Sequence, residues 1–176
     1  MRTLTVISAG LGIPSTTRQV ADQIASAASA AVSARGENLQ IQVIELRELV
    51  NDLGQVLTTG MSSPALDEAK EMVSASDGLV VATPVFKASY SGLFKTFFDV
   101  LDQDALNGMP VIIAATAGTA RHSLVLDYAI RPLLTYMRAF VVPTGIFAAT
   151  DDFGSEEGSL LDARVNRAAA ELADQM

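Results

Sequence analysis

The chain has 176 residues, 49% of them hydrophobic, which is enough apolar surface for one compact domain with a buried core. Twelve Lys and Arg residues against twenty Asp and Glu residues give a net charge of −8, which argues against nucleic acid or anionic lipid as a partner. There is no cysteine and one histidine, His122, which excludes disulfides, thiolate catalysis and cysteine or multi-histidine metal sites. Any demanding redox chemistry therefore requires an organic cofactor.

No segment of the sequence indicates export or membrane insertion. Residues 1–9 carry one arginine and run directly into Gly10, which is too short for a signal peptide. No apolar run approaches the roughly 20 residues that a membrane span needs. We therefore expect a cytoplasmic protein with no membrane contact, and a single domain over residues 1–176.

Apolar, β-branched segments alternate with segments of helical period, which predicts a parallel sheet with helices on both faces. The pattern fits an α/β, flavodoxin-like fold with five strands in the order 2-1-3-4-5. The predicted strands are about Thr3–Ser8, Gln40–Glu45, Gly78–Thr83, Pro110–Thr116 and Phe140–Phe147.

Five helices are predicted between and after these strands. The first carries Val20, Ile24, Ala27 and Ala31 and ends before Gly36; the second begins at the Ser63-Pro64 cap and ends near Ser76. The others carry the stripe Leu93, Phe94, Phe97 and Leu101, then Leu124–Tyr136 interrupted by Pro132, then Leu160–Leu172. Residues 47–62 are predicted to form an irregular surface connection.

The loop after the first strand, residues 8–17, has the composition of a phosphate site. Glycines allow a close approach of the backbone, and a helix N-terminus offers free N–H groups to an anion. Its hydroxyls add further donors: Ser8, Ser15, Thr16 and Thr17. Neither the dinucleotide fingerprint nor the Walker pattern fits these residues, so a mononucleotide phosphate is favoured. A tight turn with a serine that only caps the helix is the alternative.

Two further loops follow the third and fourth strands. Residues 83–92 can lay backbone along the edge of an isoalloxazine ring, with Phe86 as an apolar wall, although Phe86 and Tyr90 also suit ordinary core and rim positions. Residues 116–122 contain small side chains that leave room for a flat ring. His122 has no titratable partner in view and is given no acid/base role.

The segments 76–92 and 115–132 resemble the NAD(P)H-dependent FMN reductases, most closely the reductase components of two-component alkanesulfonate monooxygenase systems. The resemblance covers nearly the whole chain. It implies hydride transfer from NADPH or NADH to FMN N5, and supply of reduced FMN to a partner monooxygenase. It also implies phosphate contacts at the four hydroxyl residues above, and ring contacts at Pro84, Val85, Phe86, Lys87, Thr116, Gly118 and Thr119. Relatives often carry an arginine where this chain has Leu11-Gly12, and a tyrosine at Phe86.

Two other functions remain open at this stage. One is a quinone, azo-dye or chromate reductase that retains its FMN, and the other is a flavodoxin-type electron carrier without a nicotinamide site. Hydride transfer between stacked rings requires proximity more than an ionisable side chain, so no catalytic residue is assigned.

Tyr128 is the exception to an otherwise ordinary fourth helix. Pro132 lies four residues later and has no N–H, so the carbonyl of Tyr128 loses its helical partner, which predicts a kink or π-bulge there. The resembling reductases place this tyrosine at a subunit interface beside the flavin. The resemblance therefore implies a homodimer or homotetramer in which Tyr128 regulates cofactor retention.

Overall fold

The computed structural model describes residues 1–153 and 157–176, the side chains of 157–159 excepted, and within this part of the chain seven strands form one sheet. The order along the sheet is β2-β1-β3-β5, with β6 and β7 both pairing β5 on its far side. All pairs are parallel except the short β3–β4 hairpin. The strands are β1 (Arg2–Ser8), β2 (Leu39–Glu45), β3 (Gly78–Phe86), β4 (Ser89–Tyr90), β5 (Pro110–Ala117), β6 (Phe140–Val141) and β7 (Ile146–Ala149).

Helices cover both faces of this sheet, which confirms the flavodoxin-like α/β architecture. On one face α1 and α6 pack through residues such as Ile24 and Leu172 against Ile112 of β5. On the other face the core contains the fully buried Phe94 and Phe97, each contributing roughly 1.5–3 kcal/mol by burial. The helices are α1 (Thr16–Ser33), α2 (Val50–Thr59), α3 (Pro64–Ser74), α4 (Gly92–Asp99), α5 (Arg131–Tyr136) and α6 (Glu157–Ala173). None of those described is long and apolar enough to cross a membrane.

The predicted fifth strand is divided. Phe140 and Val141 pair with the start of β5, and Ile146–Ala149 pair with its end. Pro143 lies between the two segments and has no N–H to give to a ladder, so the strand cannot continue through it. The sheet order that was expected is kept, with β6 and β7 together in the place of one strand.

The prediction of an irregular connection over residues 47–62 is wrong. A 3₁₀ turn (Leu46–Leu49) leads directly into α2, which ends at Gly60 in the left-handed conformation, φ 72°. Leu46, Leu49 and Leu53 are buried at helical spacing, so packing stabilises the helix. The exposed Val50 and Leu57 and the central Gly54 obscured this period in the sequence.

The predicted irregularity at Tyr128 is confirmed. Residues Leu126–Ile130 form a π-helix that continues into α5, and the backbone N–H of Arg131 donates to the Leu126 carbonyl, five residues earlier. Pro132 lies in the first turn of α5 and has no N–H to donate to the carbonyl of Tyr128. The helix therefore continues through this point with the wider π turn. The side chain of Tyr128 is 80% exposed.

Candidate functional site

The last residues of β3 and β5, together with the loops that follow β1, β5 and β7, surround a cavity of about 380 Å³ at the carboxyl edge of the sheet, which we call the strand-end cavity. This is where open α/β sheets bind their ligands, because the loops diverge there from neighbouring strands. Its walls are formed by Leu11, Gly12, Pro14, Ser15, Thr16, Thr17, Pro84, Val85, Phe86, Thr116, Ala117, Gly118 and Thr150.

The N-terminus of α1 forms one wall. Ser15 is the N-cap residue, and its Oγ accepts a hydrogen bond of 3.1 Å from the backbone N–H of Arg18. The remaining N–H groups of the first turn have no partner within the helix and carry the positive end of its dipole. A Cβ at Gly10 would lie 1.9 Å from Ser15 Oγ, so glycine is required for this approach. The Ser15 cap that the sequence left as the alternative is therefore present, and further N–H groups of the same turn have no partner within the helix.

A hydroxyl pair joins two walls of the cavity. Thr17 Oγ1, on α1, lies 2.7 Å from Thr116 Oγ1, at the end of β5, and both residues are buried. Each hydroxyl can donate one hydrogen bond and accept two, so the pair retains capacity for a ligand. This hydrogen bond fixes the loop after β1 against the end of β5.

The β3–β4 hairpin forms the third wall. Val85 pairs with Tyr90 and Phe86 with Ser89, which leaves Lys87 and Ala88 as a two-residue turn with φ 49° and 67°. Such left-handed conformations are costly for residues other than glycine, and strain of this kind concentrates at functional sites. The base of the hairpin is held by a 3.0 Å bond from the Ser91 N–H to Thr83 Oγ1. The hairpin thus presents Pro84, Val85 and Phe86 to the cavity from a fixed base.

The structure brings together eight of the eleven residues expected to bind the cofactor. Three lie outside the wall of the cavity. Ser8 is buried under the first loop, where its Oγ accepts from the Gly10 N–H at 3.4 Å, and Lys87 and Thr119 are exposed on neighbouring loops. His122 also lies off the wall, with its Nε2 3.2 Å from Arg121 Nε.

Thr150 lines the cavity and was missed by the sequence analysis. It directly follows β7, whose end lies beside the end of β5. The rule that ligands sit beyond strand ends applies to it as it does to the other loops. The predicted fifth strand ended at Phe147, whereas β7 ends at Ala149. Thr150 was therefore not recognised as the first residue after a strand.

The donor set of the cavity fits a phosphate ester attached to a flat ring. Its wall combines hydroxyls and helix N–H groups with the apolar residues Pro84, Val85, Phe86 and Ala117. Across the described part of the chain, no ionisable side chain lines this cavity. Beside the first loop, Arg18 and Arg47 both contact Glu45. Partial burial lowers the pKa of Arg18, but Asp22 and Glu45 outweigh this effect and raise its pKa above the ordinary value.

The fold, with a cavity beyond the carboxyl ends of its strands, defines a protein of the flavodoxin-like α/β class. The family model for NADPH-dependent FMN reductase matches residues 2–154, and the chain belongs to that family. It is an NAD(P)H-dependent FMN reductase, an oxidoreductase that uses FMN and a nicotinamide nucleotide.

Similar proteins agree with this assignment. The chain is 38% identical over 148 residues to an FMN reductase (NADPH) of Pseudomonas aeruginosa, covering 82% of this chain and 80% of that protein. It is 36% identical over 165 residues to the NADH-dependent FMN reductase SfnE of Pseudomonas putida, covering 93% and 81%.

Two solved structures have the same fold at recognisable sequence identity. An oxidoreductase from Corynebacterium diphtheriae has a TM-score of 0.97 and 67% identity, covering 99% of this chain and 96% of that one. The apo form of the NADH:FMN oxidoreductase EmoB has a TM-score of 0.81 and 33% identity, covering 96% and 89%.

Proposed function

We propose that the strand-end cavity holds FMN, with the phosphate at the N-terminus of α1 and the ring between the β3–β4 hairpin and the loop after β5. The observation that carries the proposal is the convergence of hydroxyls, helix N–H groups and an apolar wall in one cavity. Ser15, Thr16 and Thr17 serve the phosphate. Thr116 and Gly118, from the end of β5 and the loop after it, serve the ring together with Pro84–Phe86 at the end of the adjacent β3. Ser8, Lys87 and Thr119 complete the set from the surrounding loops.

The chain's own residues act in this proposal by placement. A bound flavin supplies a ring that accepts hydride, and no ionisable side chain of the described cavity wall is needed for that transfer. Val85, Phe86 and Ala117 give the ring an apolar surface, while the Thr17–Thr116 hydrogen bond holds the loop after β1 against the end of β5. Holding both reactants in a near-attack arrangement is the main contribution that such a site makes to the rate.

We further propose that reduced FMN is released to a partner monooxygenase in the cytoplasm, where reduced nicotinamide nucleotides are produced. The cavity wall supports release, because hydroxyl and N–H donors without a cationic side chain bind a phosphate less tightly than an arginine fork does. Relatives that use NADPH and relatives that use NADH are about equally similar to this chain, so both nucleotides are candidates.

Steady-state oxidation of NADH and of NADPH, with free FMN titrated in, tests this function. We expect a rate that rises with FMN and saturates, and that shows FMN as a substrate rather than a resident group. A rate independent of added FMN, in protein that purifies with flavin, would indicate a reductase that retains FMN for a second substrate. No oxidation of either nucleotide would indicate an electron carrier.

A homodimer or homotetramer is also proposed. A groove of about 800 Å³, which we call the helix groove, lies between α4 and the segment from Tyr128 to Arg138. Tyr128 and Tyr136 lie in it with 80% and 87% of their surface exposed. Tyrosine is enriched where proteins associate, and two such side chains beside Phe98 favour a second copy of this chain as the occupant.

A further inference from the structure

An ion-pair cluster lies directly behind the first loop. Glu45, at the carboxyl end of β2, lies 2.5 Å from Arg18 Nη1 and 2.6 Å from Arg47 Nε. The side chains of Glu45, Arg18 and Arg47 are only 18%, 28% and 24% exposed. Arg47 Nη1 also donates a hydrogen bond of 3.1 Å to the carbonyl of Gly12, which lines the strand-end cavity.

The bond to Gly12 holds the middle of the loop. The loop begins at Ala9, whose N–H donates to the Ala82 carbonyl at 2.9 Å, and ends at the Ser15 cap of α1. Among the residues that the structure describes, the Arg47 contact is the one hydrogen bond made by residues 11–14. Without it, the loop would be fixed only at its two ends.

Arg47 contacts the loop from outside the cavity wall. Neither Arg47 nor Arg18 lines the cavity. The Arg47 Nε is within ion-pair distance of Glu45 but lacks the angle of a hydrogen bond, so its attraction to Glu45 is electrostatic and its directional bond is the one to Gly12. A guanidinium can meet a carboxylate with one edge and a carbonyl with another, which an ammonium group cannot do in the same way.

We infer that Arg47 is a positioning residue for the phosphate of FMN, holding Gly12 so that the first loop and the N-terminus of α1 keep the spacing which the phosphate requires. Glu45 links the two parts, since it holds both Arg47 and Arg18, and the Arg18 backbone N–H donates to the cap residue Ser15. The inference rests on the proposed placement of FMN. This chain lacks an arginine at Leu11-Gly12, within the loop itself. Arg47, which follows β2, would order the loop in its place.

Three variants test this role: Arg47→Met, Arg47→Lys and, as a matched control, Arg35→Met. Arg35 also bonds a backbone carbonyl, that of Ala173 at 2.9 Å, and pairs with Asp174, but it lies away from the cavity. We expect Arg47→Met to raise the KM for FMN about 10-fold with kcat within about 2-fold of wild type, as for loss of one hydrogen bond from a charged donor. Riboflavin affinity should change little, and Arg35→Met should leave all three quantities unchanged.

Arg47→Lys separates position from charge. Lysine keeps the positive charge but lacks the several N–H donors of the planar guanidinium group. Arg47→Lys should therefore recover less than half of the FMN affinity that Arg47→Met loses. An unchanged KM for FMN in Arg47→Met, an Arg47→Lys enzyme equal to wild type, or an equal loss for riboflavin and FMN would each overturn the inference. Failure of the wild-type protein to reduce FMN would instead remove the proposed function on which the inference rests.

Discussion

The helix groove is about twice as large as the strand-end cavity, 800 Å³ against 380 Å³. The strand-end cavity nevertheless has the features that favour a ligand site. In the cavity, residues from four separate strand ends converge, and hydroxyls and helix N–H groups stand together with apolar side chains. The groove lies between helix sides and mixes exposed aromatics with surface charges such as the Lys95–Asp99 pair at 2.6 Å, whose hydrogen bond raises the pKa of Lys95.

The difference shows that volume alone does not identify the site. A sheet edge brings together backbone groups whose hydrogen-bonding capacity is unused, whereas the sides of helices have already satisfied theirs. We therefore propose the cavity for a nucleotide cofactor and the groove for another protein surface. The following variants test that division of roles, from the largest expected effect to the smallest.

Gly118→Val should reduce kcat/KM for FMN about 100-fold or more, because a branched side chain fills the space beside the ring. A Cβ at Gly118 meets nothing within 4 Å, so the fold should persist, which circular dichroism can check. Gly54→Val, where a Cβ also has open space but on the remote α2, is the control. Full activity of Gly118→Val at saturating FMN would remove this loop from the cofactor site.

Ser15→Ala combined with Thr17→Ala should weaken FMN binding by about 1–3 kcal/mol, as expected when a charged acceptor loses hydrogen bonds. Riboflavin lacks the phosphate and should lose much less, which titration of both flavins would measure. Ser63→Ala is a matched control, because Ser63 also caps a helix, its Oγ accepting from the Leu66 N–H at 3.1 Å. It should cost about 1 kcal/mol of stability and leave FMN binding unchanged. Equal losses for both flavins would contradict a phosphate site here.

Tyr128→Ala should raise the dissociation constant of the oligomer about 10-fold, as for a tyrosine near the centre of an interface, and should make FMN co-purify with the protein or slow its release. Sedimentation and the flavin absorbance of purified protein give the two readouts. Leu57→Ala, also an exposed side chain but on α2, should change neither. If the variant keeps both its oligomeric state and its flavin content, the groove has no part in assembly or retention.

Ala88→Gly should stabilise the protein by about 0.5–1 kcal/mol. Ala88 has φ 67°, and a left-handed conformation costs an alanine roughly 1–2 kcal/mol, which glycine avoids. Part of this gain is offset because glycine loses more conformational entropy on folding. Thermal unfolding measures this difference. Ala34→Gly, at φ −63° after α1, should destabilise instead. A loss of stability in Ala88→Gly would show that the hairpin turn is not strained.

The sequence and the structure agree best where local signals are strong. Pro64 has a fixed φ that suits the start of α3, and Pro132 lacks the donor that a regular helix at Tyr128 needs. Gly36 ends the helical pattern after α1 in the opposite way, because it can adopt a φ of 79°. The helix over Val50–Thr59 was missed, since its period is visible only once Leu46, Leu49 and Leu53 are known to face the core. Packing stabilises that helix more than its intrinsic propensity does.

By itself the sequence determined the α/β class and the sheet order, because periodicity, turn residues and strand ends can be recognised along the chain. The family resemblance, and not these local patterns, gave the expected ring contacts; eight of the eleven residues expected at the cofactor lie on the cavity wall. Only the tertiary structure decided which distant groups meet. It joined Thr17 to Thr116, brought Thr150 to the wall and placed Arg47, from the end of β2, on the carbonyl of Gly12. Parallel strands bring residues that are far apart in the sequence to one edge of the sheet, and no spacing along the chain records which side chains touch there.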